Sequence, residues 1–108
     1  MGIDYCATAT YGLDIEDSLG EEEVEDLLRD FKTLGYASYG SCYGGEIERF
    51  ICVSRLTETV HDSGAQYILG SAPNEKEREE LRNVRDKLFK EHEIETSKAG
   101  WMVGLFVF

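Results

Sequence analysis

The sequence predicts an α+β fold in which an antiparallel sheet of four to five strands is covered on one face by two helices. Three observations support this prediction. Residues 3–13 alternate between apolar and polar side chains, as half-buried strands do. Two later segments each combine a capping box with an apolar stripe at helical spacing. Residues 101–108 are largely apolar on both faces, which is typical of a sheet strand. The length of 108 residues fits one domain, residues 1–108.

The first strand, Ile3–Leu13, leads directly into the first helix. Ser18 followed by Glu21 forms a capping box, which predicts that the helix begins there. Gly35 is placed to end the helix in a left-handed conformation. The apolar stripe of this helix comprises Val24, Leu27, Leu28 and Phe31.

A β-hairpin is predicted after this helix, with Gly44-Gly45 as a two-residue turn. Such a turn fixes the register of the two strands and places Tyr39 opposite Phe50. The returning strand is predicted from Ile47 to about Leu56. Residues 57–73 are less regular, with a turn at 62–64 and a candidate strand at 66–69.

The second helix is predicted to begin at another capping box, Asn74 and Glu77. Its apolar stripe comprises Leu81, Val84 and Leu88, with Phe89 alongside. Opposite charges four residues apart support its polar face, as in Lys76–Glu80 and Arg82–Asp86. A last strand is predicted over Trp101–Phe108. The resulting order of strand, helix, strand, strand, helix and strand resembles the ferredoxin-like βαββαβ topology, which implies that both helices cover one face of the sheet.

The charge of the chain is concentrated in one segment. Its formal net charge is −11, and residues 14–30 carry nine acids against one base, Arg29. A chain with a pI near 4.5 lacks the excess of Lys and Arg that binds nucleic-acid phosphates, and the same balance disfavours anionic membranes. This composition suits basic protein partners or cations.

The acidic segment supplies the first set of candidate contact residues. With the apolar stripe turned inward, Glu22 and Asp26 lie outermost on the first helix. Asp30 and Glu23 lie to one side, and Glu25 adds to the field. Like charges four residues apart each destabilise a helix by roughly 0.2–0.5 kcal/mol. Two interpretations stay open, namely a solvated face whose first-turn acids complement the helix dipole and a surface for a positive partner.

The sheet face opposite the helices supplies a second set of candidates. Ile47, Ile51 and Val53 are expected to face the core, so the other side of the hairpin is expected to face outward. That side carries Tyr39, Tyr43, Glu46, Glu48 and Phe50. Aromatic side chains in such a position suit protein contacts, including a homodimer through the sheet. The alternative is that residues 57–73 cover this face.

The residue pattern gives catalysis little support. Cys6, Cys42 and Cys52 show no paired spacing, which fits reduced thiols in the cytoplasm. Cys42 and His61 are the candidates for a thiol nucleophile and its base, but no motif joins them. Residues 14–25 match a calcium-binding loop only loosely. We therefore predict that the protein is not an enzyme and needs no cofactor or metal.

These features together predict a small acidic binding protein that occupies a basic, nucleic-acid-binding surface of a partner such as a nuclease. In size, charge and architecture the chain resembles the inhibitors that phages direct against host nucleases, including anti-CRISPR and anti-restriction proteins. This resemblance implies that carboxylates take the place of nucleic-acid phosphates in the host cytoplasm. The alternatives are an oligomeric binder of small, nucleotide-like molecules, with a pocket near residues 36–45 and 57–73, and a cysteine-dependent enzyme.

Overall fold

The structure of the protein, a computed structural model, describes residues 5–41, 43–61 and 72–107. These residues belong to the α+β class, as the sequence predicts, and the candidate strand at 66–69 lies outside them. A strand missed by the sequence analysis, β4, follows a short 3-10 turn at Ser54–Leu56. The elements in chain order are β1 (Tyr5–Glu16), α1 (Glu21–Leu28), β2 (Leu34–Ser41), β3 (Ile47–Val53), β4 (Glu58–His61), α2 (Glu75–His92) and β5 (Gly100–Val107).

The five strands form one mixed sheet rather than the antiparallel sheet expected from the sequence. The strand order is β3-β2-β5-β1-β4, with β2 and β5 paired in parallel. An additional antiparallel pairing of β3 with β1 joins β1, β3, β2 and β5 into a closed ring of neighbours. The ferredoxin-like order is not matched, because β4 intervenes between β3 and α2 and the parallel β2–β5 pair closes the ring.

Strand β1 has different partners along its length, and Gly12 is the residue at which the pairing with β5 ends and the pairing with β3 begins. This residue pairs with Cys52 of β3 and with Gly100 of β5. A Cβ atom at Gly12 would lie 1.9 Å from the carbonyl oxygen of Ile51. Glycine is therefore required for β1 and β3 to approach this closely.

The predicted β2–β3 hairpin forms, but its register differs from the prediction by two residues. Tyr39 lies opposite Glu48 instead of Phe50. The strands separate at Gly40, which has a φ of 116° and whose added Cβ would lie 2.5 Å from the carbonyl oxygen of Glu46. The predicted two-residue turn at Gly44-Gly45 is therefore wrong, because the β2–β3 pairing already ends at Gly40, whose backbone conformation favours glycine. Since side chains alternate with period two, the shift keeps each residue on its predicted face.

The hydrophobic core lies between the helices and one face of the sheet. Ile51 and Val53 are buried in it, which confirms their predicted direction, whereas Ile47 is only half-buried. Residues of both helices and of β1–β3 meet there. The buried cluster comprises Leu13, Ile15, Leu19, Val24, Leu27, Leu28, Leu34, Ile51, Val53, Leu56, Leu81, Val84 and Leu88.

Helix α1 begins later than the sequence predicts. Ser18 donates its backbone N–H to a carbonyl of β1, so it belongs to the turn that ends this strand. The helix begins at Glu21 after Gly20, and Glu23 Oε1 accepts a hydrogen bond from the Gly20 N–H at 3.2 Å. The predicted pairing of Ser18 with Glu21 is therefore wrong, and Glu23 caps the helix instead.

Helix α1 also ends earlier than predicted, at Leu28. Gly35 lies in β2 and does not terminate the helix. Phe31 lies beyond the helix but still packs against the core. The predicted apolar stripe therefore anchors both the short helix and the turn that follows it.

Helix α2 begins at its predicted capping box. Asn74 Oδ1 accepts a hydrogen bond from the Glu77 N–H at 2.9 Å, and Glu77 Oε1 accepts one from the Asn74 N–H at 2.8 Å. Arg55 donates from Nε and Nη2 to the two oxygens of the buried Glu77 at 3.1 and 2.7 Å. The hydrogen bonds from Arg55 hold the pKa of Glu77 below its usual range. This bidentate pair fixes the turn after β3 to the start of α2.

The polar face of α2 forms different contacts from those predicted. Glu80 accepts hydrogen bonds from the backbone N–H groups of Lys32 and Thr33 at 2.8 and 3.0 Å and from the Thr33 hydroxyl at 3.0 Å. Glu80 therefore fixes the chain after α1 rather than pairing with Lys76. Two further ion pairs of α2 are Arg82–Glu75 at 3.4 Å and Lys87–Asp30 at 3.6 Å.

Candidate functional site: an acidic surface

Helix α1 presents its acidic residues to solvent. Val24, Leu27 and Leu28 hold one side of the helix on the core, so the other side faces outward. The acids of the helix are all exposed, and they are Glu21, Glu22, Glu23, Glu25 and Asp26. The predicted outermost position of Glu22 and Asp26 agrees with this arrangement.

Basic side chains neutralise only part of this charge. Asp26 forms an ion pair with Arg29. Asp30 lies beyond the end of α1, 3.6 Å from Lys87 Nζ. The helical spacing predicts that Asp26 and Asp30 repel each other within one helix. This prediction is wrong, because the helix ends at Leu28. Within the described ranges no ion pair reaches Glu22, so its carboxylate is available to a partner.

Tyr36 of β2 supports two of the α1 carboxylates. Its hydroxyl donates to Glu21 Oε1 at 2.8 Å and to Glu25 Oε1 at 3.3 Å. Burial, followed by the hydrogen bond to Glu21, raises the pKa of Tyr36 to about 12. The sequence analysis missed this residue because the contact depends on β2 lying beside α1, which no local pattern reveals.

A second group of acids surrounds Tyr39 where β1 ends and β3 begins. The Tyr39 hydroxyl donates to the two oxygens of Asp14 at 2.9 and 3.1 Å. Burial raises the pKa of Tyr39, and hydrogen bonds to Glu48 and Asp14 raise it further. A hydrogen bond to Asp17, together with the negative charge of Asp17, raises the pKa of the Glu46 carboxyl. We call Asp14, Asp17, Glu46 and Glu48 the strand-end acids.

The strand-end acids and the exposed acids of α1 together form the acidic surface. Residues 17–20 connect the two groups directly along the chain. The pairing of Glu16 with Arg49 brings the start of β3 beside the end of β1. Asp14 and Asp17 were not predicted as contact residues, because they meet Glu46 and Glu48 only through this long-range strand pairing.

The sheet face that was expected to be open is largely closed. Phe50 is only 3 % exposed, so its predicted exposure is wrong. Tyr39 stacks on Phe50 with ring centroids 4.5 Å apart. A Cβ atom at Gly104 of β5 would lie 2.7 Å from Tyr39 Cβ and 2.8 Å from Phe50 Cε2. The ring of strands thus brings β5 over this face, and of the three aromatic candidates Tyr43, which is 69 % exposed, is the one that faces solvent.

Of the candidate cysteines, the structure describes Cys6 and Cys52. Cys52 is buried and its Sγ accepts a hydrogen bond from the Thr57 hydroxyl at 3.3 Å. Cys6 is half-buried, while Cys42 and the side chain of His61 lie outside the described part of the structure. Across residues 5–41, 43–61 and 72–107, no cluster of three His, Cys, Asp or Glu side chains could hold a metal ion.

The sequence predicts a small-molecule pocket near residues 36–45 and 57–73, and part of this region lies outside the described residues. The structure places cavities elsewhere, along α2. One of these has a volume of about 280 Å³ and lies between α2, β1 and residues 98–99. It is distinct from the acidic surface in both position and charge.

The chain matches no family model, no curated protein and no solved structure. Among the described helices, none is long and apolar enough to cross a bilayer.

Proposed function

We propose that the protein is a small non-catalytic binding protein that occupies a basic, nucleic-acid-binding surface of a partner protein. The observation that carries this proposal is the acidic surface, in which exposed α1 carboxylates adjoin the strand-end acids. A groove lined with Lys and Arg binds phosphates through their charge. Carboxylates held at high density on a rigid surface satisfy the same groove.

The crowding of carboxyl groups favours this role over solubility alone. Asp17 raises the pKa of the neighbouring Glu46 carboxyl, because bringing two negative charges together is unfavourable in the isolated protein. A solvated surface has no need for such crowding, because acids that are further apart serve solubility equally well. A Lys or Arg side chain from a partner would stabilise both carboxylates in their charged form.

The proposed contact surface differs from the one predicted by the sequence at three residues. Phe50 is excluded because it is buried, and Tyr39 holds Asp14 in place rather than facing a partner. Asp30 lies at the margin, already paired with Lys87. The proposed contacts are Glu22, Glu23, Glu25 and Asp26 of α1, Glu46 just before β3, Glu48 of β3, and the exposed Tyr43.

The partner class follows from the chemistry of this surface. A protein that normally binds DNA or RNA, such as a nuclease, offers the required groove of positive charge. Inhibitors of host nucleases encoded by phages are a class of this size and charge. The unpaired spacing of the cysteines suits the reducing cytoplasm, where such a target would be met.

The experiment is an affinity capture from cell lysate with a charge-neutralised variant. Glu22→Gln combined with Asp26→Asn removes two exposed charges from α1. The matched control, Glu79→Gln with Glu91→Gln, removes two exposed charges from α2. Captured proteins are identified by mass spectrometry, and each is then challenged with DNA, with RNA and with high salt.

The expected result is a basic partner that the native protein and the control retain and the α1 variant loses. Duplex DNA or RNA should displace this partner, and salt should weaken its binding, because the contact is electrostatic. If the α1 variant and the control capture the same proteins to the same extent, α1 is a solvated face and the proposal is wrong.

A further inference from the structure

A cavity beside α2 gathers positive charge in an otherwise acidic protein. It has a volume of about 280 Å³. Arg78, Arg82 and Arg85 line it from α2, and Lys98 lines it from the segment before β5. The spacing of the three arginines at i, i+4 and i+7 places them on one face of the helix. All four side chains are exposed and able to reach a ligand.

Neighbouring acids leave most of this positive charge uncompensated. Arg82 lies 3.4 Å from the exposed carboxylate of Glu75. Within the described ranges, no ion pair reaches Arg78, Arg85 or Lys98. Like charges three and four residues apart on a helix repel one another. An anion placed between these side chains would relieve the repulsion and bind through charge-assisted hydrogen bonds.

The floor of the cavity is apolar and continues into exposed apolar residues of β5. Tyr11 lies at the junction, and its ring meets the Trp101 ring edge to face with centroids 5.5 Å apart. The register of β1 and β5 pairs Tyr11 with Trp101 and Ala9 with Val103, so these side chains share one face. We call Trp101, Val103 and Leu105, which are 48, 77 and 51 % exposed, the apolar stripe.

We propose that the cavity and the apolar stripe together bind an amphiphilic organic anion. The arginines would hold a carboxylate or phosphate group, and the apolar stripe would contact its chain. A cavity of about 280 Å³ lies near the lower end of small-molecule sites, about 300–1,000 Å³, so it suits a small headgroup. From Trp101 to Leu105 the strand extends about 13 Å, enough for a chain of about eight carbons. This site is independent of the acidic surface and adds a second binding activity.

The test follows the fluorescence of Trp101, which is the only tryptophan of the chain and lies between the two halves of the site. The native protein is titrated with octanoate and with octyl phosphate, and the tighter of the two identifies the headgroup. Acetate and inorganic phosphate supply the headgroup alone, and octanol supplies the chain alone. Saturable binding of an eight-carbon anion, about tenfold or more tighter than any of these three, is expected because both parts of the site are needed.

Two variants assign the contacts. Arg78→Gln with Arg85→Gln should weaken binding of the eight-carbon anion by about tenfold or more, because charged hydrogen bonds are lost. Lys32→Gln with Lys76→Gln removes the same charge from a different groove and should change binding by less than about twofold. Circular dichroism shows whether each variant keeps its helices.

Three results would overturn the proposal. These are the absence of saturable binding to the native protein, equal binding by the two paired variants, and octanol binding as tightly as the anion. Val103→Ser provides an independent test of the chain contact, since this exposed residue contributes little to the core. It should weaken binding of the eight-carbon anion and leave that of acetate unchanged, and an unchanged affinity for the anion would refute the role of the apolar stripe.

Discussion

Glu77 is a buried carboxylate that links the start of α2 to Arg55, and Glu77→Gln should measurably destabilise the fold. Its carboxylate accepts two hydrogen bonds from Arg55 and one from the Asn74 N–H. Glutamine keeps one acceptor oxygen for Asn74 but turns its amide group toward the guanidinium. Hydrogen bonds to charged groups each contribute about 1.5–3 kcal/mol. Because Arg55 is about half exposed and can be rehydrated, we expect a total loss of about 2–3 kcal/mol.

The same substitution should alter the dependence of stability on pH. The hydrogen bonds from Arg55 lower the pKa of Glu77 in the folded state relative to the unfolded chain. This contribution is fully present above the unfolded pKa of about 4.3 and is lost as the pH falls through the folded pKa. The difference between the native protein and Glu77→Gln should therefore be constant near neutral pH and shrink below about pH 4.

The assay is urea-induced unfolding followed by Trp101 fluorescence and circular dichroism at several pH values. Glu79→Gln is the matched control, because Glu79 is exposed two residues further along the same helix. Free energies of unfolding for Glu77→Gln and Glu79→Gln that agree within about 0.5 kcal/mol at neutral pH would refute the stabilising role of the Arg55–Glu77 pair. A difference between the native protein and Glu77→Gln that does not change on acidification would contradict the lowered pKa.

Two further predictions concern the sheet. Gly104→Ala should lower the free energy of unfolding by about 1–3 kcal/mol, because its Cβ would lie 2.8 Å from the Phe50 ring. Gly100→Ala is the control, because a Cβ atom there meets open space, and it should lower the free energy of unfolding by less than about 1 kcal/mol. Urea-induced unfolding of both variants measures the difference. The pKa of Tyr36 is raised to about 12 in the folded protein, against about 10 in the unfolded chain. The Tyr36 hydroxyl therefore stabilises the fold below about pH 10, and this stabilisation is lost as the pH rises through about 12. Tyr36→Phe should therefore be less stable than the native protein at neutral pH and approach it in strong alkali, and a gap that persists in alkali would contradict the hydrogen bond to Glu21.

Local patterns predicted α2 well and α1 less well. The capping box of α2 forms as expected, because Asn74 and Glu77 satisfy each other within one turn. In α1 the predicted Ser18–Glu21 capping box does not form, because the Ser18 N–H donates to the Ile15 carbonyl in the turn that ends β1. The competing contact is tertiary in origin, since it depends on how far β1 extends, and a local motif cannot reveal it.

Contacts that depend on strand pairing are the part of the candidate site that the sequence could not predict. The acids of α1 could be placed from the helix period alone, because Val24, Leu27 and Leu28 determine which side of the helix faces outward. The burial of Phe50 could not be predicted, because it results from Gly104 of β5 lying against it, more than fifty residues further along the chain. The contact of Asp17 with Glu46 similarly requires β1 and β3 to pair.

The closed ring of strands has a consequence for how the protein is made. Strand β5 pairs over its whole length with β1, from Tyr5 opposite Val107 to Gly12 opposite Gly100. A growing chain can form α1 and the β2–β3 hairpin early, but the ring stays open until β5 has left the ribosome. In that interval the edges of β1 and β2 have unpaired backbone groups that attract other chains. Pairing of β5 with β1 and β2 covers these edges and closes the ring.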